Sequence, residues 1–95
     1  MFVNTDSKVI WKNGSYEKWE DSSVHILSHT MHYGTGCFEG VRAYNTENGP
    51  AIFRLEDHTN RLFEAANKLS ITIPYSPEEL NQVQKDIFSR NNLEE

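Results

Sequence analysis

The spacing of the hydrophobic residues changes once, at Arg54, and that change constrains the chain more than any other feature. Before it, apolar and polar residues alternate in short stretches around turn-forming residues, the pattern of half-buried strands. After it, Leu55, His58, Leu62, Ala65, Ala66 and Leu69 recur at the spacing of one helical face. The chain must build strands first and helices second.

Within the first half, the segment from Lys8 to Trp19 alternates about Asn13-Gly14, a pair that accepts positive φ at both central positions of a type I′ turn. A two-residue turn between Lys12 and Ser15 sets Trp11 opposite Tyr16. Val24-His25-Ile26-Leu27 reads as another strand, and Ser28 to Gly36 as a turn or an irregular helical stretch. Cys37 to Tyr44 reads as a strand, turned by Asn48-Gly49-Pro50 into Ala51 to Arg54. The helix that starts at Leu55 is about four turns long, with Glu56 and Asp57 at its positive end, Lys68 at its negative end and no Ser or Thr to cap it. A second helix is marked by Ser76-Pro77-Glu78-Glu79, which combines a capping Ser, Pro at the first helical position and Glu three residues after the cap. Leu80, Val83, Ile87 and Phe88 form its apolar stripe, and Asn91-Asn92 can end it. The expected fold class is α+β: an antiparallel sheet of hairpins followed by two helices gathered on one side.

A chain of 95 residues makes one small domain with a thin core, and the single cysteine, Cys37, cannot reinforce it with an internal disulfide. A net charge of −5 argues against nucleic acid or anionic lipid as a partner, and no apolar run approaches the length of a membrane span. The first residues, MFVNTDSKVI, lack the marks of a secretory or transit leader, so the expected location is cytoplasmic.

His25, His29, His32, Cys37 and His58 invite a metal reading, but their spacing matches none of the paired ligand patterns of a closed zinc site. The alternative is that His25 and His58 pack or hydrogen-bond at the core edge while His29 and His32 occupy a turn. In the block His32 to Tyr44, HYGTGCFEGVRAY, alternation puts Phe38, Gly40, Arg42 and Tyr44 on one face and Cys37, Glu39, Val41 and Ala43 on the other. An internal strand here must pair Glu39 and Arg42 or turn them into a polar cavity, whereas an edge strand leaves both exposed. Gly40 clears space for a close backbone or for a ligand. Arg61 emerges at the border of its helix's apolar stripe, where it can snorkel, pair with Asp57 four residues earlier, or offer its planar fork of donors to a phosphate.

These residues together resemble the N-terminal small domain of the branched-chain-amino-acid aminotransferases, fold-type IV enzymes that use pyridoxal 5′-phosphate. The most specific piece is Tyr-Gly-x-x-x-Phe-Glu-Gly-x-Arg from Tyr33 to Arg42, followed by His-x-x-Arg-Leu from His58 to Leu62. The likeness begins at Ile10-Trp11-Lys12-Asn13-Gly14 and reaches Asn91-Asn92-Leu93. It implies that residues 1–95 are the small domain of an enzyme that moves the amino group between leucine, isoleucine or valine and 2-oxoglutarate. By position, Arg61 resembles the arginine that grips the cofactor phosphate, and Phe38 an aromatic wall of the side-chain pocket. Tyr33 resembles a residue that reaches that pocket from a neighbouring subunit, which implies a homo-oligomer; Gly40 and Arg42 lie beside Phe38. The family's catalytic lysine belongs to a large domain, and none of Lys8, Lys12, Lys18, Lys68 and Lys85 matches its position, so the chain alone is expected to be inactive. Other members of the superfamily, D-amino-acid transaminases and aminodeoxychorismate lyase, usually carry different residues at Gly34-Thr35-Gly36 and Phe38-Glu39-Gly40. A stand-alone interaction module is the reading from a different class.

Overall fold

The computed structural model describes residues 8–93, so most of the segment used to judge a leader lies outside the described residues. Strands β1 (Val9–Lys12) and β2 (Ser15–Lys18) form the first hairpin, with Trp11 opposite Tyr16 as the alternation requires. Asn13 and Gly14 hold φ of 50° and 94°, the positive pair a primed turn needs to match the twist of its strands. A short 3₁₀ turn, Trp19–Asp21, ends this hairpin. The five-residue helix α1 (His29–Tyr33) follows and stops at Gly34, whose left-handed backbone lets its N–H reach the Thr30 carbonyl.

The second hairpin joins β3 (Ala43–Thr46) to β4 (Gly49–Ile52). Its turn falls at Glu47 and Asn48, so Gly49 and Pro50 already belong to β4 rather than to the turn; Pro50 is tolerated because neither strand has a further neighbour. Helices α2 (Leu55–Lys68) and α3 (Pro77–Arg90) complete the order of strands then helices. Ser76 caps α3 by accepting from the Glu79 N–H, whereas α2 begins at a left-handed Arg54 with no side-chain cap.

The α+β reading therefore stands, with three local corrections. The hairpins form two separate two-stranded sheets among the described residues, not one. Val24 to Leu27 is no strand: His25 is exposed, its Nδ1 accepting from the Leu27 N–H within a tight turn, and the apolar side chains point to solvent. Only Ala43 and Tyr44 of the expected Cys37–Tyr44 strand enter a ladder, because residues 37–42 lie beside no strand, although the Arg42 carbonyl still accepts from the Phe53 N–H.

The core is thin, as chain length requires. Among the described residues, Ala43, Leu55, Thr59 and Ala66 are buried, and no large side chain is completely enclosed. Leu80, Val83, Ile87 and Phe88 are only half-buried, since the face of α3 opens onto grooves instead of a filled interior; Leu69, read as part of the α2 stripe, is exposed just past the helix end. Polar and aromatic ties supplement this packing. The Asn91 side chain, just past α3, accepts from the Val9 N–H at 2.7 Å and donates to the Val9 carbonyl at 2.9 Å, so one amide satisfies both backbone groups of an edge-strand residue. Trp11 meets Tyr75 edge to face at 4.9 Å, and Arg90 covers the Tyr16 ring at 3.8 Å.

Replacing Asn91 with Ala should leave both Val9 groups unpaired and lower stability by about 1–3 kcal/mol in urea unfolding. A loss no larger than that of a typical surface substitution would show that water replaces the amide freely.

Candidate functional site

The side chains that chemistry could use gather where residues 37–42 cross the middle of α2. Burial alternates along most of this stretch even without a ladder: Cys37, Glu39 and Ala43 face inward and Phe38, Gly40, Arg42 and Tyr44 outward, while Val41, expected on the inward face, is 37% exposed. Glu39 is therefore delivered to α2, where Arg61 and His58, one turn apart on the same helix, meet it.

Glu39 Oε2 accepts from Arg61 Nε at 2.8 Å and Oε1 from Arg61 Nη2 at 2.6 Å, a bidentate fork. His58 Nδ1 lies 2.7 Å from the same Oε1 and donates to it when protonated at that nitrogen. The Glu39 side chain is 13% exposed and that of Arg61 67%, so the carboxylate forms the inner half of the pair and the guanidinium the outer half. The hydrogen bonds from Arg61 and then His58 hold the Glu39 pKa down to about 2, outweighing the opposing effect of burial; the same carboxylate raises that of Arg61. Asp57, the alternative partner for Arg61, instead bonds Arg54 at 2.7 Å, because both lie at the exposed start of α2.

Inward of this cluster runs an apolar groove of about 480 Å³ between β1, residues 37–41, α2 and α3, with Glu39, His58, Thr59 and Gln84 among its polar lining. Phe38 borders it yet is 90% exposed, and Tyr33 at the end of α1 is also open to solvent. Tyr33 packs against His29 at 4.7 Å, and Arg42 lies over Tyr44 at 5.1 Å. A side chain added at Gly40 would meet nothing within 4 Å, so among the described residues no backbone crowds the position. Phe38, Gly40 and Arg42 thus share one outward face while Tyr33 stands apart from it in sequence, and Arg61 is tied to their segment through Glu39.

Among the described residues, no three His, Cys, Asp or Glu side chains converge as metal ligands would. Of this cluster, the sequence places only Arg61 in the site; Glu39 has no assigned role and His58 reads as a residue that packs or hydrogen-bonds at the core edge. The inward register of Glu39 and the border position of Arg61 are both legible, but their meeting is a tertiary contact between a loop and a helix.

The fold is that of known aminotransferases. It superposes on a T.th. branched-chain amino acid aminotransferase, solved in complex with N-(5′-phosphopyridoxyl)-L-glutamate, with a TM-score of 0.91 at 43% identity, over 96% of this chain and 30% of that one. A solved Escherichia coli branched-chain amino acid aminotransferase gives a TM-score of 0.90 at 39% identity, over 94% and 29%. Residues 36–95 match the family described as amino-transferase class IV, and the chain belongs to that family. Among curated relatives, the branched-chain-amino-acid aminotransferase of Pseudomonas aeruginosa is 51% identical over 86 residues, covering 90% of this chain and 28% of that protein. The chain thus spans under a third of the relatives it matches. No described helix is long and apolar enough to cross a membrane.

The depressed Glu39 pKa fixes a sign. Its folded value, about 2, lies below the ordinary carboxylate value of 4.5, so the pair's stabilisation is complete above pH 4.5 and fades as pH falls toward 2. Glu39→Gln should remove that part of the acid sensitivity, read as a flatter dependence of melting temperature on pH over this window. An unchanged acid limb would mean that other carboxylates control it.

Proposed function

We propose that this chain is the N-terminal small domain of a cytoplasmic pyridoxal-phosphate transaminase that exchanges the amino group between leucine, isoleucine or valine and 2-oxoglutarate. The observation that carries the reading is the outward-facing Arg61 guanidinium. Its Nε–Nη2 edge is engaged by Glu39, while the edge formed by Nη1 and Nη2 is left to the exposed side. Two parallel charged donors suit a phosphate monoester, so the residues present fit the cofactor's phosphate. Names of the relatives support the rest: they are branched-chain-amino-acid aminotransferases, and one of the matching structures holds pyridoxamine 5′-phosphate.

When bound, the cofactor supplies a carbonyl that exchanges with the amino group and an electron-withdrawing ring that relieves negative charge at the α-carbon. This chain's own residues have simpler tasks in the proposal. Arg61 anchors the phosphate remotely from the reacting atoms, which restricts their position. Phe38 gives the branched aliphatic side chain an apolar wall, and Gly40 admits substrate beside it, in keeping with its open surroundings. Arg42 bounds the same face. Tyr33 completes the pocket of a neighbouring subunit in a homo-oligomer, which would account for so large an exposed ring. The lysine that moves the proton belongs, in this proposal, to a large domain of the complete enzyme.

The two assigned roles separate experimentally in that complete enzyme. Arg61→Ala should weaken cofactor retention with every amino acid, on the order of tenfold, the effect of losing a charged hydrogen bond. Phe38→Ala should leave retention near that of the wild type while lowering kcat/KM for leucine more than for glutamate, whose polar side chain gains little from an aromatic wall. Wild-type retention in Arg61→Ala, or equal losses for the two substrates in Phe38→Ala, would refute the corresponding assignment.

A further inference from the structure

We propose that Glu39 is a positioning residue for the phosphate anchor, holding Arg61 so that one edge of its guanidinium, in one orientation, meets the anion. The inference rests on the proposed role of Arg61 and adds a residue to it. An arginine on a helix surface ordinarily samples many rotamers and must be ordered when a ligand arrives. Here the ordering is already made. Glu39 takes Nε at 2.8 Å and Nη2 at 2.6 Å, and the planarity of the guanidinium then fixes the direction of its remaining donors. Glu39 is itself restrained, with a side chain 13% exposed and Oε1 also facing His58 Nδ1 at 2.7 Å.

Positioning by Glu39 acts with a sign opposite to simple electrostatics. A carboxylate this near a phosphate repels it, and if Glu39 were only a counter-charge, its neutralisation would strengthen anion binding. If orientation dominates, neutralisation weakens binding despite the gain of positive charge. Gln preserves the shape of Glu but turns a donor amide toward one of the two arginine nitrogens, so Glu39→Gln breaks the fork while changing little else.

The test measures the affinity of the apo form of the complete enzyme for pyridoxamine 5′-phosphate and for pyridoxamine, and takes their ratio as the phosphate-dependent part. Glu39→Gln should reduce that ratio about tenfold while leaving the affinity for pyridoxamine unchanged, a split that a general structural defect would not produce. Glu39→Asp, with its carboxylate retracted, should fall between Gln and the wild type. In an Arg61→Ala background, Glu39→Gln should have no further effect on the ratio. In the apo form of the complete enzyme, the Arg61 Nε proton should exchange slowly by NMR. A ratio kept or raised by Glu39→Gln while Arg61→Ala abolishes it would overturn the positioning role and leave the anchor intact. A ratio kept by Arg61→Ala would overturn the anchor and the positioning role with it. If Glu39→Gln fails to fold, Glu39→Asp and the Nε exchange decide: a wild-type ratio in Glu39→Asp together with free-arginine exchange in the wild type would refute the proposal.

Discussion

The fork between Glu39 and Arg61 joins two parts of the chain that little else connects at this point. Residues 37–42 have no strand beside them, and the bond from Phe53 to Arg42 holds only their far end. What ties their middle to α2 is one carboxylate gripping Arg61 and facing His58. Because successive side chains of an extended segment point to opposite sides, anchoring Glu39 inward also decides that Phe38 and Gly40 face outward. The arrangement of the outer face is therefore a consequence of an ionic contact beneath it.

An ionic contact can carry this task because the hydrophobic core does not reach so far. Among the described residues the buried side chains are small or medium, and the apolar groove beside α3 remains open. Directional contacts do more of the positioning than in a larger domain. The Asn91 amide ties the end of α3 to β1, Thr59 bonds Asn81 between the two long helices, and Trp11 of the first hairpin meets Tyr75 just before α3. Each contact joins elements distant in sequence and needs a specific geometry, which is what a small apolar interior supplies poorly.

The same distinction between local and long-range causes decides what the sequence made legible. The primed turn at Asn13-Gly14, the pairing of Trp11 with Tyr16 and the Ser76 cap of α3 all depend on neighbours within a few residues, and each appears where local chemistry puts it. The strand expected over Val24 to Leu27 fails because strand preference depends on packing against neighbouring strands, and no described strand lies beside this segment. Residues 37–42 are an intermediate case: alternation matches the inward and outward faces except at Val41, which is exposed, and the ladder is absent. For the cluster itself, the border position of Arg61 was visible from helical spacing, and its partner was not. Asp57, four residues earlier, was the acid the helical spacing offered, yet Arg54 occupies it, and the acid that reaches Arg61 lies in another element. The Asn91 contact to Val9 likewise has no local signal, since it looks in the sequence like an ordinary helix end.

The division of labour within the cluster also has a physical logic. Arg61 and His58 project from a continuous helix, where hydrogen bonding fixes the backbone and placement is precise. Phe38, Gly40 and Arg42 lie on an irregular segment whose sequence can change without disturbing a ladder or a helix. For the proposed function this is a favourable separation: the phosphate is common to every turnover and benefits from a rigid anchor, whereas the side-chain pocket must discriminate among substrates. Glu39 belongs to the variable-looking segment but acts on the rigid one, and through it the two parts keep a common register. A segment that carried Phe38 without a charged tether would leave its ring free to move relative to the anchor, separating the two requirements that a productive substrate pose must meet together.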